Sequence, residues 1–378
     1  MSEYAVEIRR KLHKHPEIGF ELPVTLQLVR TELDNMGVKY TEKYGDSSIV
    51  ATINEEKAHH TIAFRADMDA LPITELNDIP YKSQIDGCMH ACGHDIHTAI
   101  LLGTIRELNS VREKLNCRVR FIFQPAEEYS VSGAKLMAEN GVMDDIDEII
   151  ACHVCPYTDV GSVSISEGPQ NANSYGFTVE FFGKNAHVAN QHRGTDAIAM
   201  AVKAYIAFEF MTAKEISADD KCLFNIGAFN GGITNNIICD HCNMFGTFRT
   251  YDDRVNDYFI KRIDAIAEAV ASESGGRSRV TGGKFLPYVY NDEKVTEKLK
   301  TAAARVVGAE NIHVRKRTMD SEDFSYFANL KPGMMFWLGV RNESSGKCST
   351  LHQSDFNPDE DCIDVGIGIF TSYVLNNN

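Results

Sequence analysis

The stretch RVRFIFQPAEE, residues 118–128, decides how the chain is read. Val119, Phe121 and Phe123 alternate with Arg118, Arg120 and Ile122, a period of two that predicts a strand ending at Gln124-Pro125. Two glutamates follow at once, where a strongly apolar strand gives way to a loop; a merely solvated charge pair is less expected there. Upstream, apolar stretches at 48–53 and 61–66 read as further strands, and 96–108 as a buried helix. Downstream, 132–140 with Gly141 reads as a short helix and its stop, and 148–154 as another buried strand. The opening segment places Val6, Ile8 and Leu12 on one side, then Leu26, Val29, Leu33 and Met36 before Gly37, which suggests two helices. Strands alternating with helices imply a largely parallel sheet covered on both faces.

The texture changes after Gly168-Pro169. Strands are expected at 174–182, 222–229, 237–249 and 278–285, with helices at 196–212 and 253–272, a pattern that suits a two-layer α+β module. A helix at 292–307, a strand at 334–340 and a terminal helix from Asp361 then resume the first pattern. The expected fold is α/β: a catalytic domain with a mostly parallel mixed sheet flanked by helices, interrupted by an inserted, smaller two-layer α+β domain. The expected boundaries are 1–172 and 287–378 for the catalytic domain and 173–286 for the insert.

The chain has 378 residues, with 38 Lys and Arg against 53 Asp and Glu, for a net charge of -15. That balance argues against nucleic-acid or anionic-membrane binding, which needs clustered cations. No apolar run reaches the ~18 residues of a membrane span, and the N-terminus shows no signal-peptide core, so a cytoplasmic protein is expected. Ten cysteines then read as reduced thiols.

Three groups able to bind a metal follow predicted strands or open loops: MHACGHDIH at 89–97, QPAEE at 124–128 and ACHVCP at 151–156. His352, in STLHQSDF, is a fourth candidate. Open parallel sheets gather such loops along their carboxyl edge. Thiolate, imidazole and carboxylate together suit zinc, manganese or a similar ion. Adjacent glutamates divide the labour, one on the metal and one free to take a proton. Against this stands core packing for the thiols and a solvated face for the glutamates. The CxxC strings at 152–155 and 239–242 lie too far apart for a zinc ribbon, and neither opens a helix as a redox pair does, so Cys152, Cys239 and Cys242 read as core thiols.

The strings RRKLHKHPEIGFE, FRADMDALPITE, MHACGHDIHTAILLG, FQPAEE, GKNAH, GGITNNII, GTFRT, SEDFSYF and LHQSDF occur in one order. In that order the chain resembles the metal-dependent amidohydrolases, the family of bacterial aminoacylases, hippurate hydrolases and plant auxin-conjugate hydrolases. The match runs over nearly the whole length. The resemblance implies two divalent ions per subunit (zinc, manganese, cobalt or nickel), with Cys92, His94, Glu128, His153 and His352 matching the ligands and Cys92 bridging. Glu127 matches the general base that deprotonates a metal-activated water and returns the proton to the departing amine. Asp69 is expected to orient a ligand imidazole, and His97 reads either as part of that shell or as a satisfied buried histidine. His187 matches a histidine of the inserted domain that stabilises the tetrahedral oxyanion, in that family sometimes in a neighbouring subunit's site. Asn236 and Arg249 match substrate-contacting positions, Arg249 as the grip on a free carboxylate, with a strand-end surface charge as the plainer reading.

The chain departs from the family pattern at Val188 and Gln191, at Asn236-Ile237-Ile238-Cys239, and at Asp320, all near the lid and substrate region. The expected activity is hydrolysis of N-acetyl or N-aroyl amino acids by a homodimer or homotetramer built through the insert. N-acetyl-diaminopimelate deacetylation is the nearest alternative. A non-catalytic metal-binding relative is disfavoured by the retention of both Glu127 and Glu128.

Overall fold

In the computed structural model, which describes residues 3–377 apart from the side chain of Lys284, the chain divides into two compact units. The first comprises residues up to Gln170, Val289–Lys316 and the segment from Asp323 onward; the second comprises Asn171–Tyr288 and Arg317–Glu322.

The first unit is built on an eight-stranded mixed sheet. Its strands run in the order Lys39–Thr41, Ile49–Ile53, Arg118–Gln124, Thr61–Asp67, Glu148–Asp159, Gly333–Arg341, Val163–Ser164 and Ile312–His313. The four central strands are mutually parallel, and the flanking Ile49–Ile53 and Val163–Ser164 pair antiparallel with them. Helix His94–Ser110, buried along most of its length, and helix Cys362–Asn377, buried at half of its positions, cover one face with Glu3–Lys14 and Glu293–Val307. The strand Arg118–Gln124 is buried at all seven positions. Arg118 and Arg120 are therefore interior cations, and both reach the Asp145 carboxylate. The two-sided cover of a central strand explains why the alternation in sequence does not mark a solvent face.

The second unit has a four-stranded antiparallel sheet in the order Arg277–Leu286, Ser174–Phe182, His241–Thr250 and Cys222–Gly231. Phe177, Val179 and Phe181 alternate inward and meet helices Ala197–Lys214 and Asp253–Glu273. The helices start at Asp196 and Asp252, whose carboxylates accept backbone N–H groups of the first turn. The strand expected at 237–249 begins only at His241. Residues before it pair elsewhere: Ile237 bridges to His187, the Ile238 N–H donates to Ala186 O, and Cys239 O accepts from the Ala197 N–H. All ten cysteines are free thiols, and Cys152, Cys239 and Cys242 are buried.

Candidate metal centre and active site

The site grows from the carboxyl ends of neighbouring parallel strands in the first unit. Strand Thr61–Asp67 leads to Asp69, strand Arg118–Gln124 leads to Glu127 and Glu128, and strand Glu148–Asp159 carries His153. Helix His94–Ser110 opens on His94 itself. Gly93, its N-cap, has φ +85°, and a Cβ there would lie 2.6 Å from Val154 Cγ2, so glycine lets the helix begin hard against the strand. Ala126 (φ 55°) and His352 (φ 62°) adopt the same left-handed backbone without being glycine. Each is a position of about 1–3 kcal/mol local strain, and they place Glu127 and the His352 imidazole. The His352 N–H donates to Ala91 O at 2.9 Å, which ties that loop to the Cys92 segment.

The five expected ligands come together as two overlapping triads. Donor atoms of Cys92, His94 and His153 lie within 4.8 Å of one another, and so do those of Cys92, Glu128 and His352. Cys92 belongs to both. Its Sγ is 3.5 Å from His153 Nε2, and His352 Nε2 is 2.9 Å from Glu128 Oε1. Glu127 joins Glu128 and His94 in a third group of the same dimensions. Cys92, His94 and His153 are buried, whereas Glu128 is partly open and His352 exposed.

The electrostatics of the cluster suit a cation. Both nitrogens of fully buried His94 lack a hydrogen-bond partner. Burial alone would lower its pKa, but Asp67 first, then Asp69 and Glu128, push it up to about 10. Burial, with Glu128 and Glu127 close by, pushes the Cys92 thiol well up, so a thiolate there requires a cation to stabilise it. Burial holds His153 neutral, well below the usual imidazole range, and neutral imidazole is the form that ligates. Two orphaned imidazole nitrogens, a thiol and a carboxylate make a donor set that fits divalent ions of the zinc or manganese kind.

Asp69 accepts the backbone N–H of Glu127 at 3.0 Å and of Glu128 at 3.1 Å. Its nearest imidazole atom, His94 Nδ1, is 3.4 Å away, and no hydrogen bond forms. Asp69 thus fixes the glutamate loop. A neighbouring carboxylate, Asp67, also holds an imidazole: its Oδ1 accepts from His97 Nδ1 at 2.6 Å. His97 Nε2 in turn accepts the Val154 N–H at 3.0 Å, so both ring nitrogens are engaged and His97 is a satisfied buried histidine. Behind Asp67 lies Arg65, which bonds Asp67, Gln124 and Asp323 at 2.6, 2.7 and 2.9 Å. Asp323 also takes the Ser132 hydroxyl at 2.6 Å. Asp67 and Asp323 sit in strings quoted for the family resemblance, but nothing in the sequence joins them.

His187, Asn236 and Arg249 belong to the second unit. The Val188 N–H donates to Asn236 O at 3.0 Å, which brings the loops of His187 and Asn236 side by side. His187 is exposed, and its Nδ1 accepts from the Ala189 N–H. Arg249 is half-buried on strand His241–Thr250 and donates to Thr247 Oγ1.

A family model described as peptidase family M20/M25/M40 matches residues 63–376. A thermostable carboxypeptidase 2 of Saccharolobus solfataricus is 34% identical over 97% of this chain and 93% of its own length. An N-acetyldiaminopimelate deacetylase of Anoxybacillus flavithermus is 32% identical over 98% and 96%. A Bacillus subtilis crystal structure, described as a dinuclear metal binding peptidase from the M20 family, superimposes with a TM-score of 0.86 at 30% identity, covering 99% of this chain and 97% of that one.

Proposed function

The chain belongs to peptidase family M20/M25/M40, and on that premise we propose that it hydrolyses the amide bond of N-acyl amino acids, releasing a carboxylate and a free amino acid, with two divalent metal ions. The observation that carries this reading is the pair of ligand triads sharing buried Cys92, with Glu127 close enough to act yet needed by neither. Cys92, His94, Glu128, His153 and His352 would hold the ions, which supply the positive charge that polarises the scissile carbonyl and acidifies a water. Glu127 takes the proton of the attacking water and delivers it to the departing amine. Its backbone, gripped by Asp69, keeps the carboxylate at a fixed distance from the ligands.

A lid or dimerisation domain, expected at 173–286 between catalytic segments 1–172 and 287–378 and lying within the second unit, supplies the remaining roles in this proposal. With Nδ1 of His187 accepting a backbone N–H, its proton sits on Nε2, which makes that atom a donor for the developing oxyanion. Arg249 offers a planar fork suited to a substrate carboxylate, and Asn236 stands beside His187. We also propose a homodimer through this unit. Ile198, Val202, Tyr205, Ile206 and Phe210 form an exposed apolar stripe on helix Ala197–Lys214, and Cys222–Gly231 is an edge strand bearing exposed Leu223 and Phe229.

Deacetylation of N-acetyl-diaminopimelate is a specific second reading, favoured by the relative of that name. Primary-amine release from N-acetyl, N-benzoyl and N-succinyl amino acids, N-acetyl-diaminopimelate and an N-blocked dipeptide separates these substrates. Chelator-sensitive release from at least one is the expected result. Release that survives full removal of metal overturns the reading.

A further inference from the structure

The chain has a single tryptophan, Trp337. Strands Gly333–Arg341 and Glu148–Asp159 pair in parallel with Trp337 directly opposite His153, so both side chains leave the same face of the sheet. Their ring centroids are 4.8 Å apart with planes inclined by 31°. The Arg315 guanidinium carbon lies 3.1 Å from the indole centroid. Arg315 is itself anchored, since its N–H donates to Ser166 Oγ and its carbonyl accepts from the same hydroxyl. The indole is buried, and its Nε1 makes no hydrogen bond, so what it offers His153 is a rigid π surface rather than a donor.

His153 needs such a surface. Its Nδ1 donates to Val154 O at 2.9 Å, which places the lone pair on Nε2, toward Cys92 Sγ. One hydrogen bond fixes the tautomer but leaves the ring free to rock about that contact. His97 meets the ring edge-on at 4.8 Å, and the indole supplies the broad, near-parallel contact. We propose that Trp337, held by Arg315, is the positioning residue for His153, keeping the imidazole plane fixed so that Nε2 faces Cys92 before an ion arrives. This rests on the reading of His153 as a metal ligand. It also makes the emission of the one tryptophan a direct report on occupancy of the site.

The test uses metal-stripped full-length protein and cobalt(II), an open-shell ion whose thiolate charge-transfer absorption overlaps indole emission and quenches a nearby tryptophan. Affinity is measured independently by competition with a chelating dye. Tryptophan emission is expected to fall in step with the cobalt bound, and Trp337→Leu to bind about tenfold more weakly, the range seen when a partner that orients a ligand is lost. Trp337→Phe, which keeps a ring against the imidazole, should restore binding to within about threefold of wild type. Cobalt bound with unchanged wild-type emission overturns the inference, and that arm stands even if the leucine variant fails to fold. So does a folded leucine variant that binds like wild type, or a phenylalanine variant as weak as leucine. Failure of the wild type to bind cobalt at all removes the metal reading itself, a distinguishable outcome.

Discussion

Arg65 is fully buried, yet it carries a permanent charge and serves two aspartates on different segments. Burial would raise Asp67, but Arg65 first, then His94 and His97, hold it well below the usual carboxylate range. Asp323 is pushed up by its own burial in spite of Arg65. Replacing the guanidinium by an apolar chain of similar length leaves the ionised Asp67 without its main counter-charge. Arg65→Met should therefore lower the unfolding free energy by about 3–5 kcal/mol, measured by urea titration. A loss within the scatter of a surface substitution would show that the aspartates find other partners. At this scale the candidate ligands that the fold gathers within 4.8 Å of one another are legible in short strings, because each string keeps its chemistry in sequence. The network behind them was not. Arg65 and Asp323 are joined only by the fold, and the pairing of Trp337 with His153 depends on a strand register that no local pattern records. The two aspartates of DMD look equivalent in sequence, and only geometry gives Asp67 the imidazole and Asp69 the glutamate loop.

Between elements, helices Glu3–Lys14 and His94–Ser110 are joined by a buried ionic contact. His13 Nδ1 lies 2.8 Å from Asp95 Oδ2, which also accepts from Arg9 Nε at 2.7 Å, and His13 Nε2 lies 3.2 Å from Glu75 Oε1. Burial and then Arg9 would lower the His13 pKa, but hydrogen bonding to Asp95 and Glu75, with the Asp95 charge, raises it above its ordinary 6.5. A raised folded-state value means the protonated imidazole stabilises the fold. That contribution is complete below the unfolded pKa near 6.5 and is lost as pH climbs through the higher folded value. The gap in urea midpoint between wild type and His13→Asn should thus be wider under mildly acid conditions than under mildly alkaline ones. A gap that stays constant with pH would mean His13 acts by packing alone. The helix itself was visible from Val6, Ile8 and Leu12. Its buried polar positions, Arg9 and His13, have partners on other segments that no local pattern records. Over 237–249 the alternation predicts one strand, but the ladder begins at His241, because Ile237 and Ile238 pair with the loop of His187 and Cys239 with the start of helix Ala197–Lys214.

For the whole molecule, the units differ in what they leave exposed. Among the described residues no helix is long and apolar enough to cross a membrane. Yet the second unit exposes Ile206 at 52% and Phe210 at 61%, one turn apart on the same helix face. A monomer gains nothing from that stripe, and a two-fold copy of it would bury both. For the proposed dimer, Phe210→Glu should shift the light-scattering mass of the wild type from two chains to one while leaving the far-ultraviolet dichroism unchanged. A wild type that is already monomeric at micromolar concentration removes the interface. The mixed sheet and the interrupting α+β unit followed from the order of strand and helix signals, which is why the architecture was readable at long range. Short strands such as Val163–Ser164 and Ile312–His313 carry too few residues to show a period.

The most direct test of the central claim counts bound metal and released amine on the same samples of wild type and Glu127→Ala. Both proteins should hold two ions per chain. Wild type should release amine only while metal is bound, and the variant should be slower by a factor on the order of 10²–10⁴. Full turnover by Glu127→Ala, or amine release by wild type stripped of metal, would contradict the account.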